Sequence, residues 1–488
     1  MKKLIYYIAI LLYCSSCEKY LEVEPTNVFA MKTYEDVKSL MGAHIRSHVN
    51  VSNSSKLPGT TIHYRNNNFY LLFHFYGDDL NTGKYLDKWI GNNNKKLYNE
   101  SMDWKQETET ARIWKENYAN IGFYNTILDE LANIDGVTED QANIIKGEAK
   151  FLRAWNLFKL LQYFSPYKLD KYGLPVNFDS QAVGSYNSQR KTQTEVYQLI
   201  LADLTEVLDY KTVPTTYNCF YDKKIIHALL AEVYHFKGGS GAAGTTDYEQ
   251  AITHAKAAME GRTLQKLNDY TPFPLIESGV FGFYKDKQQA LIFDTRSDGS
   301  AMQGLIGVPA YGPRARLYQF TTDALYQLFD DKDVRKGKFF GPNKEIFKFE
   351  QIDPEGSGSM GRSIYQIFSM PEMQLIMAES YARKGDLTNA KLALEELQRN
   401  RIEGYTSYSG SDVLQEILNE RRREFCFEYD MRWCDLIRTQ KGYSHDWAKN
   451  KETPTVKIED NDYRFCFPIP LNEELQYNKI EQNPGWNF

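Results

Sequence analysis

The sequence predicts an all-α dominated fold, a scaffold of repeated helical hairpins interrupted by an irregular, loop-rich insert with short strands. Three observations predict it. Apolar residues recur at helical period through most of the first half of the chain. Two distant segments share one plan, with Ala, Tyr and Gly at matching offsets. Between them residues 262–365 lose the period and gain helix breakers, among them Pro272, Pro274, Pro309 and Pro313. The 488 residues are 42% hydrophobic and 25% charged, an ordinary globular balance. A net charge of −6 leaves no basic footprint for nucleic acid. Aromatic residues are abundant, with 35 Tyr, 27 Phe and 7 Trp. Tyr and Trp join a flat apolar face to a hydrogen-bonding edge, which suits helix packing and sugar stacking alike. Most of them belong to the core.

At the N-terminus Lys2 and Lys3 precede "LIYYIAILLY", an apolar run of 10 residues. A spanning helix needs roughly 20, so the run reads as an export signal and not an anchor. Ser15, Ser16 and Cys17 resemble the lipobox of bacterial lipoproteins, in which cleavage precedes the cysteine and its thiol carries the lipid. That resemblance makes residues 1–16 the signal peptide and Cys17 the lipid attachment. Loss of Lys2 and Lys3 then takes the net charge from −6 to −8. Several acyl chains on one residue hold a protein stably at a membrane surface. Residues 17–30 form a polar tether in which Pro25 prevents a helix. "TYEDVKSLMGAHI" opens the first helix, with Thr33 as its cap.

Three long helical patterns follow. The first carries Ile113, Tyr118, Ile121, Tyr124 and Leu128 on one face. The second carries Ile145, Phe151, Leu152, Trp155, Phe158 and Leu161, and "TEVYQLILADLTEVL" is the third. The repeated plan places Ala231, Tyr234 and Gly238 in one segment and Ala378, Tyr381 and Gly385 in the other. A second helix follows each, with Ala251 and Ala390 at the crossing points. Small residues where helices cross, and glycine at the turn, are what a tetratricopeptide-like hairpin requires. The chain divides into an N-terminal helical part at 31–261, the insert at 262–365 and a C-terminal helical part at 366–488. Within the insert "QALIFDTRSD" reads as a strand, and "NKEIFKFEQIDPEGSGSMG" as a strand followed by a flexible loop. An insert punctuated by Gly and Pro on a helical scaffold is a candidate ligand surface.

Several formal motifs dissolve in context. "GGSGAAG" has the glycine spacing of a dinucleotide loop but follows a helix instead of a strand, so it lengthens a turn. His44 and His48 are four apart, yet no Glu or third ligand completes a metal site. No nucleophile elbow, phosphate loop or metal-spaced cysteine pair occurs, and no cofactor is implied. On one continuous helix Cys426 and Cys434 would lie about 12 Å apart, too far for a disulfide. With Cys219 and Cys466 they read as buried thiols.

Sugar-binding chemistry is more suggestive around residues 80–100. Tyr85 and Trp89 lie among Asp87, Asn92, Asn93 and Asn94, outside any periodic pattern. Aromatic stacking plus amide and carboxylate hydrogen bonds can hold a sugar, and an exposed Trp invites a cover. The alternative is a Trp folded back on the core. Tyr311, in "GVPAYGPRAR", is a further candidate.

The segment "NERRREFCFEYDMRWCDLIR", residues 419–438, poses the enzyme question directly. Glu424 and Glu428 would share one helix face, the raw material of a glycoside hydrolase. Against this, five acids and five arginines balance between Ile417 and Arg438. Glu428 with Arg432, and Asp435 with Arg438, have ion-pair spacing. Leu418, Phe425, Tyr429, Trp433 and Leu436 form the apolar face. Arginines lower carboxylate pKa values, whereas a catalytic acid needs its own raised. The segment therefore reads as a structural helix knitted by ion pairs, and no catalytic residue is assigned.

With "GEAKFLRAWNLFKLLQYF", "PEMQLIMAESYARKGD" and the closing "FPIPLNEELQYNKIEQNPGW", that segment resembles the SusD/RagB-like nutrient-uptake lipoproteins over nearly the whole mature chain. The resemblance implies a lipid-anchored outer-membrane protein facing the exterior, seated as a lid on a SusC-like TonB-dependent transporter. It implies a nutrient ligand, commonly an oligo- or polysaccharide, with peptide or another polymer as the alternative. It implies no catalysis. Ligand contacts in that family lie in variable loops, so Tyr85, Trp89, Asn92 and Tyr311 rest on the local chemistry alone.

Overall fold

The computed structural model describes residues 31–49, 67–81, 108–180, 189–211, 221–270, 290–297, 308–309, 316–317, 320–348, 363–445, 456–471 and 479–487. The signal segment, Cys17, Cys219 and all four sugar-binding candidates lie outside them. Helices α1 (Tyr34–Val49) and α2 (Asn67–Tyr76) precede the long α3 (Thr108–Ala132), α4 (Glu139–Phe164) and α5 (Gln193–Asp209). Then come the hairpins α6 (Lys223–Lys237) with α7 (Asp247–Met259), and α10 (Met370–Arg383) with α11 (Leu387–Gln398). Between the hairpins lie the short helices α8 (Asp323–Tyr326) and α9 (Val334–Phe339). The chain closes with α12 (Val413–Phe425) and α13 (Met431–Thr439). Among the described residues no helix is long and apolar enough to cross a membrane.

Local chemistry sets the boundaries. Thr33 accepts from Asp36 N at 3.2 Å at the start of α1. Thr138 with Gln141, and Thr192 with Glu195, form reciprocal capping boxes that satisfy the first free amides of α4 and α5. Ser369, followed by Pro371, starts α10. The antiparallel helices α3, α4 and α5 pack in sequence, α6 and α7 form a hairpin, and α7 lies against α10 of the next one. Ala231, Ala251, Ala378 and Ala390 are all fully buried at these crossings, as their size requires.

The two matching glycines turn out to serve different ends. Gly385 has φ +83°, a left-handed helix terminus that suits glycine. Gly238 is right-handed, with φ −59°. A Cβ there would stand 2.9 Å from the Tyr248 ring, so its smallness matters and its backbone freedom does not.

Among the described residues eight short strands pair antiparallel in twos. The expected strand in "QALIFDTRSD" is β2 (Ala290–Ser297), paired with β6 (Ser363–Ser369), which leads straight into α10. β3 (Val308–Pro309) pairs with β4 (Arg316–Leu317), and β7 (Tyr443–His445) with β8 (Val456–Ile458). β1 (Leu80–Asn81) pairs with β5 (Phe320–Thr321). The strand expected at "NKEIFKFE" is reduced to isolated bridges, Phe320 with Glu345 and Phe340 with Ile346. Phe347 N donates to Phe339 O at 2.7 Å and Gly341 N to Glu345 O at 2.9 Å, and these bonds fold the segment back on the end of α9, where Phe339 and Phe340 are buried against Phe329.

One helix expected across residues 417–438 is two. α12 stops at Phe425, α13 starts at Met431, and Phe427 and Tyr429 between them have φ of 63° and 30°. Left-handed backbone at such residues is unfavourable. Burial of both rings offsets it, as does the Lys348 ammonium, which donates to Glu424 O at 2.7 Å and Cys426 O at 3.0 Å. A cation placed there satisfies the free carbonyls at the end of α12 and its negative dipole end.

Candidate functional site

The described part of the binding candidate is its root. β1 ends at Asn81, four residues before Tyr85, and β5 begins at Phe320, nine residues after Tyr311. Because Asn81 pairs antiparallel with Phe320, the segments carrying Tyr85, Trp89 and Asn92 on one side and Tyr311 on the other leave the same end of this ladder. Their side chains lie outside the described residues.

The charged C-terminal segment holds this root. Arg422 on α12 donates from Nε to Asp79 Oδ1 at 2.7 Å and reaches Asp78 Oδ2 at 3.1 Å. Arg432 on α13 grips Asp78 with both arms, at 2.6 and 2.8 Å. The backbone closes the joint, with Thr322 N donating to Asp79 O at 2.9 Å. Burial pushes the Asp79 carboxyl above its usual range against the opposing pull of Arg422. A fork holding two oxygens fixes orientation as well as position, which an ammonium could not do. Arg432 was expected to pair with Glu428; the break between α12 and α13 sends it to Asp78 instead.

The possible catalytic pair is dismantled by the same break. Glu424 is buried and receives Arg401 Nη2 at 2.7 Å on one oxygen and Arg335 Nη1 at 2.7 Å on the other. Burial raises its pKa, but Arg401 and Arg335 outweigh that and hold it below the usual value. Glu428 instead faces Lys348 at 2.6 Å, and burial there wins, leaving its carboxyl raised. The two are not on one helix and answer to different cations. A carboxylate saturated by two guanidinium groups cannot deliver a proton or attack a sugar.

The rest of the network is equally closed. Arg335, fully buried, also meets Asp333 at 2.6 Å and Glu420 at 2.7 Å. Asp435 pairs with Arg438 at 2.7 Å, as its spacing suggested, and with Arg421 at 3.0 Å. Arg438 continues to Glu379 at 2.7 Å. An open cleft of about 550 Å³ runs past Asp78, Arg422, Arg432, Arg438 and Lys441. Its arginines and Lys441 already have carboxylate partners, the last at Asp460, 2.9 Å away. Lys168, also on its lining, has a backbone carbonyl, Gly239 O, as its partner.

An inner cavity of about 50 Å³ lies between α4, α6, α10, α12 and α13, lined in part by Lys159, Glu232, His235, Glu372 and Asp430. Lys159 pairs with Asp430 at 2.8 Å. Glu232 and Glu372 face each other, and burial raises both carboxyls, Glu232 to about 7. Among the described residues no cluster of three metal-ligating side chains occurs. His44 is buried, with its Nε2 3.1 Å from the Tyr124 hydroxyl, and the His48 side chain lies outside the described residues. Cys426, Cys434 and Cys466 are free and buried, as expected.

Asp78, Arg335, Lys348 and Arg401 escape sequence reasoning because their partners stand far away along the chain. The acid pair in "FYGDDLN" is the one local hint.

A family model described as "Starch-binding associating with outer membrane" matches residues 81–235, and the model of the SusD family matches residues 310–486. Among solved structures, a SusD superfamily protein from Bacteroides vulgatus is 20% identical, with 94% of this chain and 100% of that chain covered and a TM-score of 0.72. A SusD superfamily protein from Bacteroides fragilis is 21% identical over 92% of this chain and 99% of that one, with a TM-score of 0.68. Surface glycan-binding protein A from Bacteroides fluxus is 18% identical, covering 93% and 100%, with a TM-score of 0.65. At these identities the likeness is one of fold. Among curated proteins none matches the chain.

Proposed function

The chain belongs to the SusD family, and from that premise we propose that it is a lipid-anchored receptor of the outer membrane that captures a glycan at the cell surface and hands it to a SusC-like TonB-dependent transporter. The match of residues 81–235 to a starch-binding, outer-membrane-associated family carries the reading, since it spans Tyr85, Trp89 and Asn92. The common exit of that segment and the one bearing Tyr311 from the β1/β5 ladder supports a shared binding surface. Cys17 would carry the lipid, and no catalysis is assigned.

In this reading the arginines of α12 and α13 act at a distance. They fix Asp78 and Asp79, so the binding segments start from a rigid base and less ordering is left for the ligand to impose. Calorimetric titration with a panel of oligo- and polysaccharides tests the proposal. Trp89→Ala is expected to abolish binding of the recognised glycan while leaving the thermal transition in place. Undiminished binding by Trp89→Ala would remove that residue from the site. Binding of peptides, with silence across the glycan panel, would move the ligand class.

A further inference from the structure

The first hairpin carries two nitrogen donors that the receptor function does not use. His227 on α6 and His254 on α7 point at each other, Nδ1 to Nδ1 at 2.9 Å, with ring centroids 5.1 Å apart. Both rings are half-buried, and neither has another hydrogen-bond partner among the described residues. Their backbones are fixed, because Ala228, Ala251 and Ala255 are fully buried where the helices meet. Tyr234 lies parallel to His254, 5° between planes and 5.6 Å between centroids, and steadies that ring.

The separation has two uses. It suits an N–H···N hydrogen bond, with one ring protonated at Nδ1. It is also the spacing of two ligands at right angles on one ion, since nitrogens about 2.05 Å from a metal are then about 2.9 Å apart. Burial holds both rings neutral at pH 7, His254 with a pKa of about 4. Neutral imidazole is the form that binds metal.

We propose that His227 and His254 form a two-histidine site for a transition-metal dication, completed by water, that staples α6 to α7. Both Nδ1 atoms coordinate after the rings pivot toward a common point. The ring that carried a hydrogen at Nδ1 moves it to Nε2, so two neutral imidazoles bind and no proton is released in net. The right angle and the order of divalent affinities favour Cu²⁺ and Ni²⁺, whereas imidazole disfavours Ca²⁺ and Mg²⁺.

The test is calorimetric titration of the purified, tag-free protein with NiCl₂ and CuSO₄ at pH 7.5, alongside thermal unfolding. One saturable site is expected that raises the transition temperature, is reversed by chelator and is unaffected by a tenfold excess of Ca²⁺. Affinity should fall at least tenfold in His227→Ala and in His254→Ala. His254→Asn, closer in size, serves if the alanine variant fails to fold. Absence of saturable binding, retention of it in both single variants, or displacement by Ca²⁺ would each overturn the assignment.

Discussion

Arg335→Met is expected to destabilise the protein by about 3–5 kcal/mol, the usual cost of removing one partner from a buried ion pair. Arg335 is fully buried and meets Asp333, Glu420 and Glu424 within 2.7 Å. Arg401 and Arg423 still reach Glu424 and Glu420 in the variant, but Asp333 loses its guanidinium and the cluster gains a net negative charge in a dry setting. Burial pushes the Arg335 pKa down, and the surrounding carboxylates more than reverse it. Urea denaturation at pH 7 measures the effect. A loss below about 1 kcal/mol, the range of exposed pairs, would show that the cluster does not hold the fold.

A second large effect lies on the alkaline side of neutrality. Glu148 on α4 is buried with no cationic partner among the described residues and accepts one backbone bond, from Tyr221 N at 3.2 Å. Burial pushes its carboxyl up to about 8. With Glu232 and Glu372 it keeps in the folded state protons that the unfolded chain releases. For a raised carboxyl the folded state binds more protons, so stability is full below the ordinary value near 4.5 and falls as pH rises through 7 and 8. Each unit of displacement corresponds to about 1.4 kcal/mol. Glu148→Gln should therefore be more stable than the parent at pH 9 by on the order of 2–4 kcal/mol, and close to it at pH 5. Thermal transitions between pH 5 and 9 measure this, and parallel profiles for the two proteins would contradict it. Glu379, Glu424 and Asp435 have the opposite sign. Burial raises each, nearby arginines overcome it, and their contribution disappears only as pH falls toward the acid range.

What could be read from the sequence is what is decided locally. Ala251 and Ala390 announce helix crossings because only a small side chain lets two backbones approach. Thr33 announces a helix start because its hydroxyl serves an amide three residues on. The pairing of Asp435 with Arg438 follows from one turn of helix. The break at Cys426–Asp430 could not be read in this way, because part of its cause is Lys348, about 80 positions away. A helical period through Glu424 and Glu428 continued on paper, while the chain turned to bury Phe427 and Tyr429 and to place Arg432 on Asp78. The sugar-binding candidates share that difficulty in another form. Aromatic and amide residues in a loop declare a chemistry, but the surface they build depends on segments as distant as Trp89 and Tyr311.

The most direct test of the receptor account joins binding to chemistry in one sample. The purified protein is titrated with the glycan panel, and each glycan that binds is recovered after long incubation and sized. Saturable binding with the glycan returned at its original length is the predicted result. Shortened products from the parent protein, lost in Glu424→Gln while the fold persists, would contradict it and return the paired carboxylates to catalysis.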